Sequence, residues 1–118
     1  MTLTEDGNFI TGEKFYGTKI EINISKNLFR KEKTLMLKAD QIKHVVLKDV
    51  EGNEIHYSWP KIKYLAIWSH PQFGDYVCVE PWMSLPDFID SSKELSKKKT
   101  LLSLDPNDEY SFKYSIEI

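Results

Sequence analysis

The sequence is poor in cysteine, glycine and proline, and it lacks long apolar runs and a charge excess of one sign. Its one cysteine, Cys78, excludes an intramolecular disulfide and points to a reduced, cytoplasmic setting. Five glycines are spread through 118 residues, and no glycine-rich loop opens a helix, so a phosphate cradle is missing. No apolar stretch approaches the roughly 20 residues a spanning helix needs, which argues against a membrane partner. Sixteen basic residues stand against 18 acidic ones, for a net charge of −2. Such a chain has no basic field to hold nucleic acid or an anionic surface. The first six residues, Met1 to Asp6, are acidic and lack the basic and apolar blocks of a signal peptide. The three histidines, His44, His56 and His70, are not spaced as metal ligands with one another or with Cys78, so no metal site is expected.

What is present is a chain long enough for one domain with a core of its own. Apolar residues make up 41% of it, an ordinary share for a folded protein. The apolar residues recur mostly with a period of two, which sorts side chains onto opposite faces of a sheet. Ile20, Ile22 and Ile24 alternate with polar neighbours. So do Ile55, Tyr57 and Trp59, and again Phe112, Tyr114, Ile116 and Ile118. Leu35 to Ala39 and Val45 to Lys48 are shorter strands. Glu51-Gly52-Asn53 reads as a hairpin turn, and Asp105-Pro106-Asn107-Asp108 as a second turn with proline pre-setting one dihedral. Tyr64 to Trp68 and Tyr76 to Val79 are almost continuously apolar, the pattern of strands buried on both faces, and are expected to be central. Helical signal is confined to Ser25 to Lys33, with Ser25 as N-cap, and to Asp90 to Lys99, with Ser91 or Ser92 as cap. The first 16 residues carry little pattern and are expected to be poorly ordered.

Two residue types capable of chemistry need weighing. Cys78 lies within an apolar strand without a flanking base, where a thiol is ordinarily inert. Lys97-Lys98-Lys99 lacks interleaved aromatics for stacking on bases and reads as a solvated loop. Glu80 differs. A period of two puts Cys78, Glu80 and Trp82 on one face and Val77 and Val79 on the other. Pro81 has no N–H for the ladder, so pairing is expected to loosen beside it. A carboxylate there, next to Trp82 and a valine strand, is partly desolvated, which suits it to general-base work. Trp82 adds a flat apolar face on which the C–H face of a pyranose can lie. Composition alone favours the plainer reading, a glutamate facing water at a strand end.

A longer pattern changes that balance. Leu28-Phe29 precedes the apolar run Thr34-Leu35-Met36-Leu37. Trp59-Pro60 closes a strand, and Tyr64-Leu65-Ala66-Ile67-Trp68-Ser69 follows. Then come Cys78-Val79-Glu80-Pro81-Trp82, an aspartate at Asp87, the lysine-rich step at Lys98-Lys99, a turn at Pro106-Asn107-Asp108, and a final strand from Glu109 to Ile118. In order and spacing this resembles the C-terminal half of the galactose mutarotase-like (aldose 1-epimerase) family, especially its LacX-type branch, over about residues 28 to 118. The sequence departs from the family pattern at Ser84, where glycine is expected, and at Phe88, where a small polar residue is expected. No motif around His44, His56 or His70 matches the family's general-acid histidines, which lie in its N-terminal half.

The resemblance implies an all-β fold, an antiparallel β-sandwich forming part of the family's larger supersandwich, with residues 1–118 as a single partial domain. It implies interconversion of the α and β anomers of an aldose, with an aldohexose as substrate. In that reaction a base takes the anomeric hydroxyl proton while an acid protonates the ring oxygen, and the opened ring recloses on the other carbonyl face. Glu80 would be the base, and Trp82 and Asp87 pocket or loop-fixing residues. Paired acid–base catalysis covers both proton transfers without a cofactor. The acid is not identifiable in the chain, so the isolated chain is expected to be weak or inactive. The two continuously apolar strands need cover on both sides that the rest of the chain does not supply, so it is expected to self-associate or to require an N-terminal part. The alternative is a non-catalytic carbohydrate-binding or β-sheet interaction module, since fold alone does not prove function.

Overall fold

A computed structural model describes residues 2–3, 10–12, 21–70, 72 and 75–118. The described chain is mostly β and antiparallel throughout. Strands β3 (Thr34–Lys38), β6 (Tyr64–Trp68) and β7 (Cys78–Trp82) form one sheet in the order β3-β6-β7. Strands β4 (His44–Lys48), β5 (Glu54–Ser58) and β8 (Ser115–Glu117) form a second in the order β4-β5-β8. Short strands β1 (Thr2–Leu3) and β2 (Ile10–Gly12) pair with each other. The remainder of the stretch expected to be poorly ordered lies outside the described residues.

One apolar cluster joins the two three-stranded sheets. Leu35, Leu65 and Ile67 of the first sheet are buried with Phe29, Ala39, Trp59 and Ile62, and Val45 and Tyr57 of the second sheet pack against them. This is a sandwich-like arrangement, as the alternating patterns imply. Helix α1 (Lys26–Glu32) drops Phe29, 1% exposed, into that cluster. Its start follows from Ser25, an extended residue whose hydroxyl accepts the Leu28 N–H at 3.3 Å, satisfying a donor that has no partner within the helix. Trp59 is tied in by its indole N–H, which donates to the Ile42 carbonyl at 2.6 Å.

The β4–β5 hairpin is fixed by its turn. Gly52 has φ +94°, a conformation open to glycine. Asp49 holds the loop together, its carboxylate accepting the Glu51 and Asn53 N–H groups, both at 2.9 Å, and the Asn53 side-chain amide at 2.7 Å. The second expected turn also forms, with the Asp108 N–H on the Asp105 carbonyl at 3.0 Å and Asn107 at φ 73°.

Five expectations need correction. β6 is central and buried, but β7 is an edge strand, half-buried along its whole length. Pro81 explains this. It pairs in register with Leu65, and the adjacent Trp82 turns its backbone toward β6, its carbonyl accepting the Lys63 N–H. Alternation then aims the position of the missing Pro81 N–H outward, where only an edge strand tolerates it. Pairing therefore continues through Trp82 instead of loosening. Ile22 and Ile24 belong to no strand, although both pack half-buried on the main cluster; Ile20 lies outside the described residues. The last strand is reduced to Ser115–Glu117, with Phe112, Tyr114 and Ile118 outside it and exposed. Residues 90–99 form only a single 3-10 turn, Leu95–Lys97, with no side-chain cap. Ser91 and Ser92 spend their hydroxyls elsewhere, on the N–H groups of Phe88 and Glu94.

Among the described residues, no helix is long and apolar enough to cross a membrane.

Candidate functional site

The outer face of the first sheet is assembled by register. Ala66 lies opposite Glu80, Trp68 opposite Cys78, Tyr64 opposite Trp82, and Met36 opposite Ala66. Period two therefore gathers Met36, Tyr64, Ala66, Trp68, Cys78, Glu80 and Trp82 onto one face. A second, smaller cluster forms there from Met36, Ala66 and Leu85, flanked by Tyr64, Trp82 and Phe88. The segment after β7 folds back to cover part of it. The Thr100 hydroxyl accepts the Leu85 N–H and shares a hydrogen bond with Ser84, both at 3.0 Å. Lys98 pairs with Asp87 at 3.3 Å, and the Lys99 ammonium lies 5.5 Å from the Phe88 ring centre.

Glu80 sits at the centre of this face, half-buried, with each carboxylate oxygen held by an indole. The Trp68 N–H donates to one oxygen at 2.8 Å, and the Trp82 N–H to the other at 3.1 Å. Neither distance is accidental. Glu80 and Trp82 are two apart on one strand, and Trp68 lies diagonally across on β6, where long side chains meet. The two donors fix the carboxylate in position without neutralising it, because an indole gives one hydrogen bond and carries no charge. Each carboxylate oxygen keeps further acceptor capacity for a hydroxyl group. Trp68 is itself steadied by an edge-to-face contact with Tyr76, ring centres 5.8 Å apart.

Glu80 and Trp82 are thus brought together as expected, and Trp82 acts on Glu80 through its N–H. Asp87 is not part of that contact: Lys98 engages its carboxylate, and the pair ties down the loop beside the face. Trp68 is the residue that sequence reasoning missed. Its place on the Glu80 face follows from the β6–β7 register, which sets Trp68 opposite Cys78 and which the sequence alone does not give. The unexpected Ser84 and Phe88 both find packing roles, Ser84 against Thr100 and Phe88 on the small cluster.

The other candidate groups have plainer surroundings. Burial, and then the charge on Glu80, push the Cys78 thiol above its usual value, so it holds its proton and is a poor nucleophile. His70 accepts the Gln72 N–H at 3.2 Å in the loop after β6. His44 and His56, although 12 residues apart, touch: their ring nitrogens lie 3.1 Å from each other on the second sheet. Among the described residues, no set of three histidine, cysteine, aspartate or glutamate side chains converges on a common point. A cavity of about 280 Å³ opens elsewhere, between the start of α1 and the β6–β7 connection, lined by Ile24, Lys26, Phe29, Ser69, Asp75 and Tyr76 among others. Glu80 does not line it.

Compared with known proteins, the chain matches no family model, no curated protein and no solved structure.

Proposed function

We propose that this chain carries the general-base half of an aldose 1-epimerase-like site, with Glu80 as the base. The observation that supports it is the grip on Glu80. A half-buried carboxylate fixed through both oxygens by neutral donors is held at one place and orientation, as a base must be to meet the anomeric hydroxyl. An ion pair in the same position would instead compete for the proton. The flat indoles of Trp68 and Trp82 flank it, and aromatic planes suit the apolar face of a pyranose. The order of motifs from Leu28 to Ile118, including Cys-Val-Glu-Pro-Trp, adds the family resemblance.

The reaction needs a second group, because the ring oxygen must gain a proton as the anomeric hydroxyl loses one. Among the described residues, the hydrogen-bond partners of Glu80 are the two indoles, and neither acts as an acid near neutral pH. His44 and His56 lie on the other sheet. The proposal therefore assigns only the base, and the acid is a group that does not itself bond to Glu80.

A second reading has its own support. Leu101, Leu102, Leu104, Tyr110, Phe112, Tyr114 and Ile116 are all exposed along one segment of the chain, and exposed apolar residues that lie together mark interaction surfaces. On that reading the chain is a β-sheet interaction module, and Glu80 holds no sugar.

Two measurements bear on the proposal, and the second separates it from the interaction module. Polarimetry on freshly dissolved α-galactose or α-glucose should give a rate scarcely above the spontaneous one. Equilibrium dialysis with the same sugars should give binding that is lost in Glu80→Gln. A protein that retains neither sugar defeats the proposal and leaves the interaction module.

A further inference from the structure

The outer face of the second sheet carries a group of side chains that the Glu80 site does not use. His44, Val46 and Lys48 of β4 and Glu54, His56 and Ser58 of β5 share that face by register, with His44 opposite Ser58 and Lys48 opposite Glu54. His44 therefore stands diagonal to His56. Its Nε2 lies 3.1 Å from Nδ1 of His56, the ring planes are 23° apart and the ring centres 5.2 Å apart. Ring centres so much farther apart than the facing nitrogens mean that the two imidazoles meet edge to edge, with nitrogens inward.

The other nitrogen of His56, Nε2, lies 3.2 Å from Glu54 Oε2, and Glu54 Oε1 accepts from Lys48 at 3.1 Å. A carboxylate at Nε2 requires a proton there. A neutral His56 then has a bare Nδ1, which accepts the N–H of His44 Nε2. That arrangement is the one found around metal-bound histidines, where the distal N–H donates to a carboxylate and the proximal nitrogen is left free to coordinate.

We propose that His44 and His56 form a two-histidine chelate for a divalent first-row transition ion such as Cu²⁺, Ni²⁺ or Zn²⁺. Nitrogens bound at 2.0–2.1 Å to one tetrahedral or square-planar ion stand about 2.9 to 3.4 Å apart, and these two already do. Binding needs small turns of two side chains, one of them exposed, to swing their lone pairs from each other toward a common point outside the sheet. It also needs His44 to shift its proton from Nε2 to Nδ1 through solvent, so both rings stay neutral and no net proton is released. Water completes the coordination, because no third ligand converges on the pair among the described residues. The ion would clip β4 to β5.

The test is calorimetric titration of the full chain with CuCl₂, NiCl₂ or ZnCl₂ alone, in a buffer that does not chelate. The expected result is one site, with Cu²⁺ tighter than Ni²⁺ or Zn²⁺. His44→Asn and His56→Asn should each weaken it at least tenfold, and Glu54→Gln should weaken it about tenfold by loosening His56. His70→Asn should leave it unchanged. Circular dichroism of each metal-free variant checks folding. If His56→Asn unfolds the chain, His44→Asn decides, since His44 is exposed and, among the described residues, its ring contacts His56 alone. Binding that survives both histidine substitutions, or no binding at millimolar metal, overturns the proposal.

Discussion

Replacing Trp68 by phenylalanine probes the grip on Glu80 most cleanly. The substitution keeps an aromatic ring beside Tyr76 and removes the N–H that donates to Glu80 at 2.8 Å. A hydrogen bond to a charged group contributes about 1.5–3 kcal/mol. Glu80 is half-buried, water reaches it, and Trp82 still donates at 3.1 Å, so the lower end applies. Loss of apolar contact from the smaller ring adds about 1 kcal/mol, giving a destabilisation of roughly 2.5 kcal/mol. Glu80→Gln should cost a similar amount, because the amide sets an N–H₂ group against one of two indole donors. The decisive quantity is the coupling. If the carboxylate and the indole stabilise each other, the double variant should fall short of the summed single effects by about 1 kcal/mol or more. Urea unfolding, followed by far-ultraviolet circular dichroism so that the lost tryptophan does not alter the signal, gives all four corners of the cycle. Single effects that add to within about 0.5 kcal/mol would mean that the 2.8 Å contact contributes nothing, and the preorganised base would go with it.

Other perturbations follow from the same packing. Leu65→Ala, in the centre of the first sheet at 1% exposure, should destabilise by about 2–5 kcal/mol, read from the same unfolding curves. Trp59→Phe should cost about 1–3 kcal/mol by leaving the Ile42 carbonyl unpaired. Gly52→Ala should cost about 1 kcal/mol from backbone strain alone, because open space surrounds the added methyl. Hydrogen bonds from Asn53, Lys48, Lys26 and Lys97 hold Asp49, Glu54, Asp75 and Glu94 below their ordinary values. Their contribution is thus complete above the unfolded carboxylate range and is lost as pH falls through the lowered folded values. Thermal stability should decline between about pH 5 and pH 3, weakly and less so in high salt, since all four are exposed. Cys78, with its thiol pushed up, should react with iodoacetamide at pH 8 more slowly than a free thiol.

Period two located β5 and, in shortened form, β8, because alternation is a direct consequence of the pleat, while apolar continuity located β6. Tyr64–Trp68 appears with its predicted bounds, and β3, β4, β5 and the Ser25-capped helix fall within a residue or two of theirs. What failed depended on partners. Apolar continuity in Tyr76 to Val79 suggested a central strand, yet Pro81 makes β7 an edge, which only the register with β6 reveals. Ile22 and Ile24 kept their burial without a ladder to join, since burial needs a core and a strand needs a neighbour. Within the candidate site, Glu80 and Trp82 were legible because they share a strand. Trp68 was not, although it makes the shorter contact, because its distance from Glu80 is set by pairing between strands. The His44–His56 contact escaped for the same reason: ligand spacing along the chain says nothing about residues that a hairpin folds onto each other.

The central claim, that an aldose binds against the Glu80 carboxylate, is tested most directly by the indole N–H resonances of the three tryptophans in ¹H–¹⁵N spectra, assigned by single substitution. On titration with galactose or glucose, the Trp68 and Trp82 signals should move together along one binding curve, while Trp59, bonded to the Ile42 carbonyl in the core, stays still. Glu80→Gln should abolish the movement. Trp68 and Trp82 signals unmoved at saturating sugar, or moving equally in Glu80→Gln, would contradict the account.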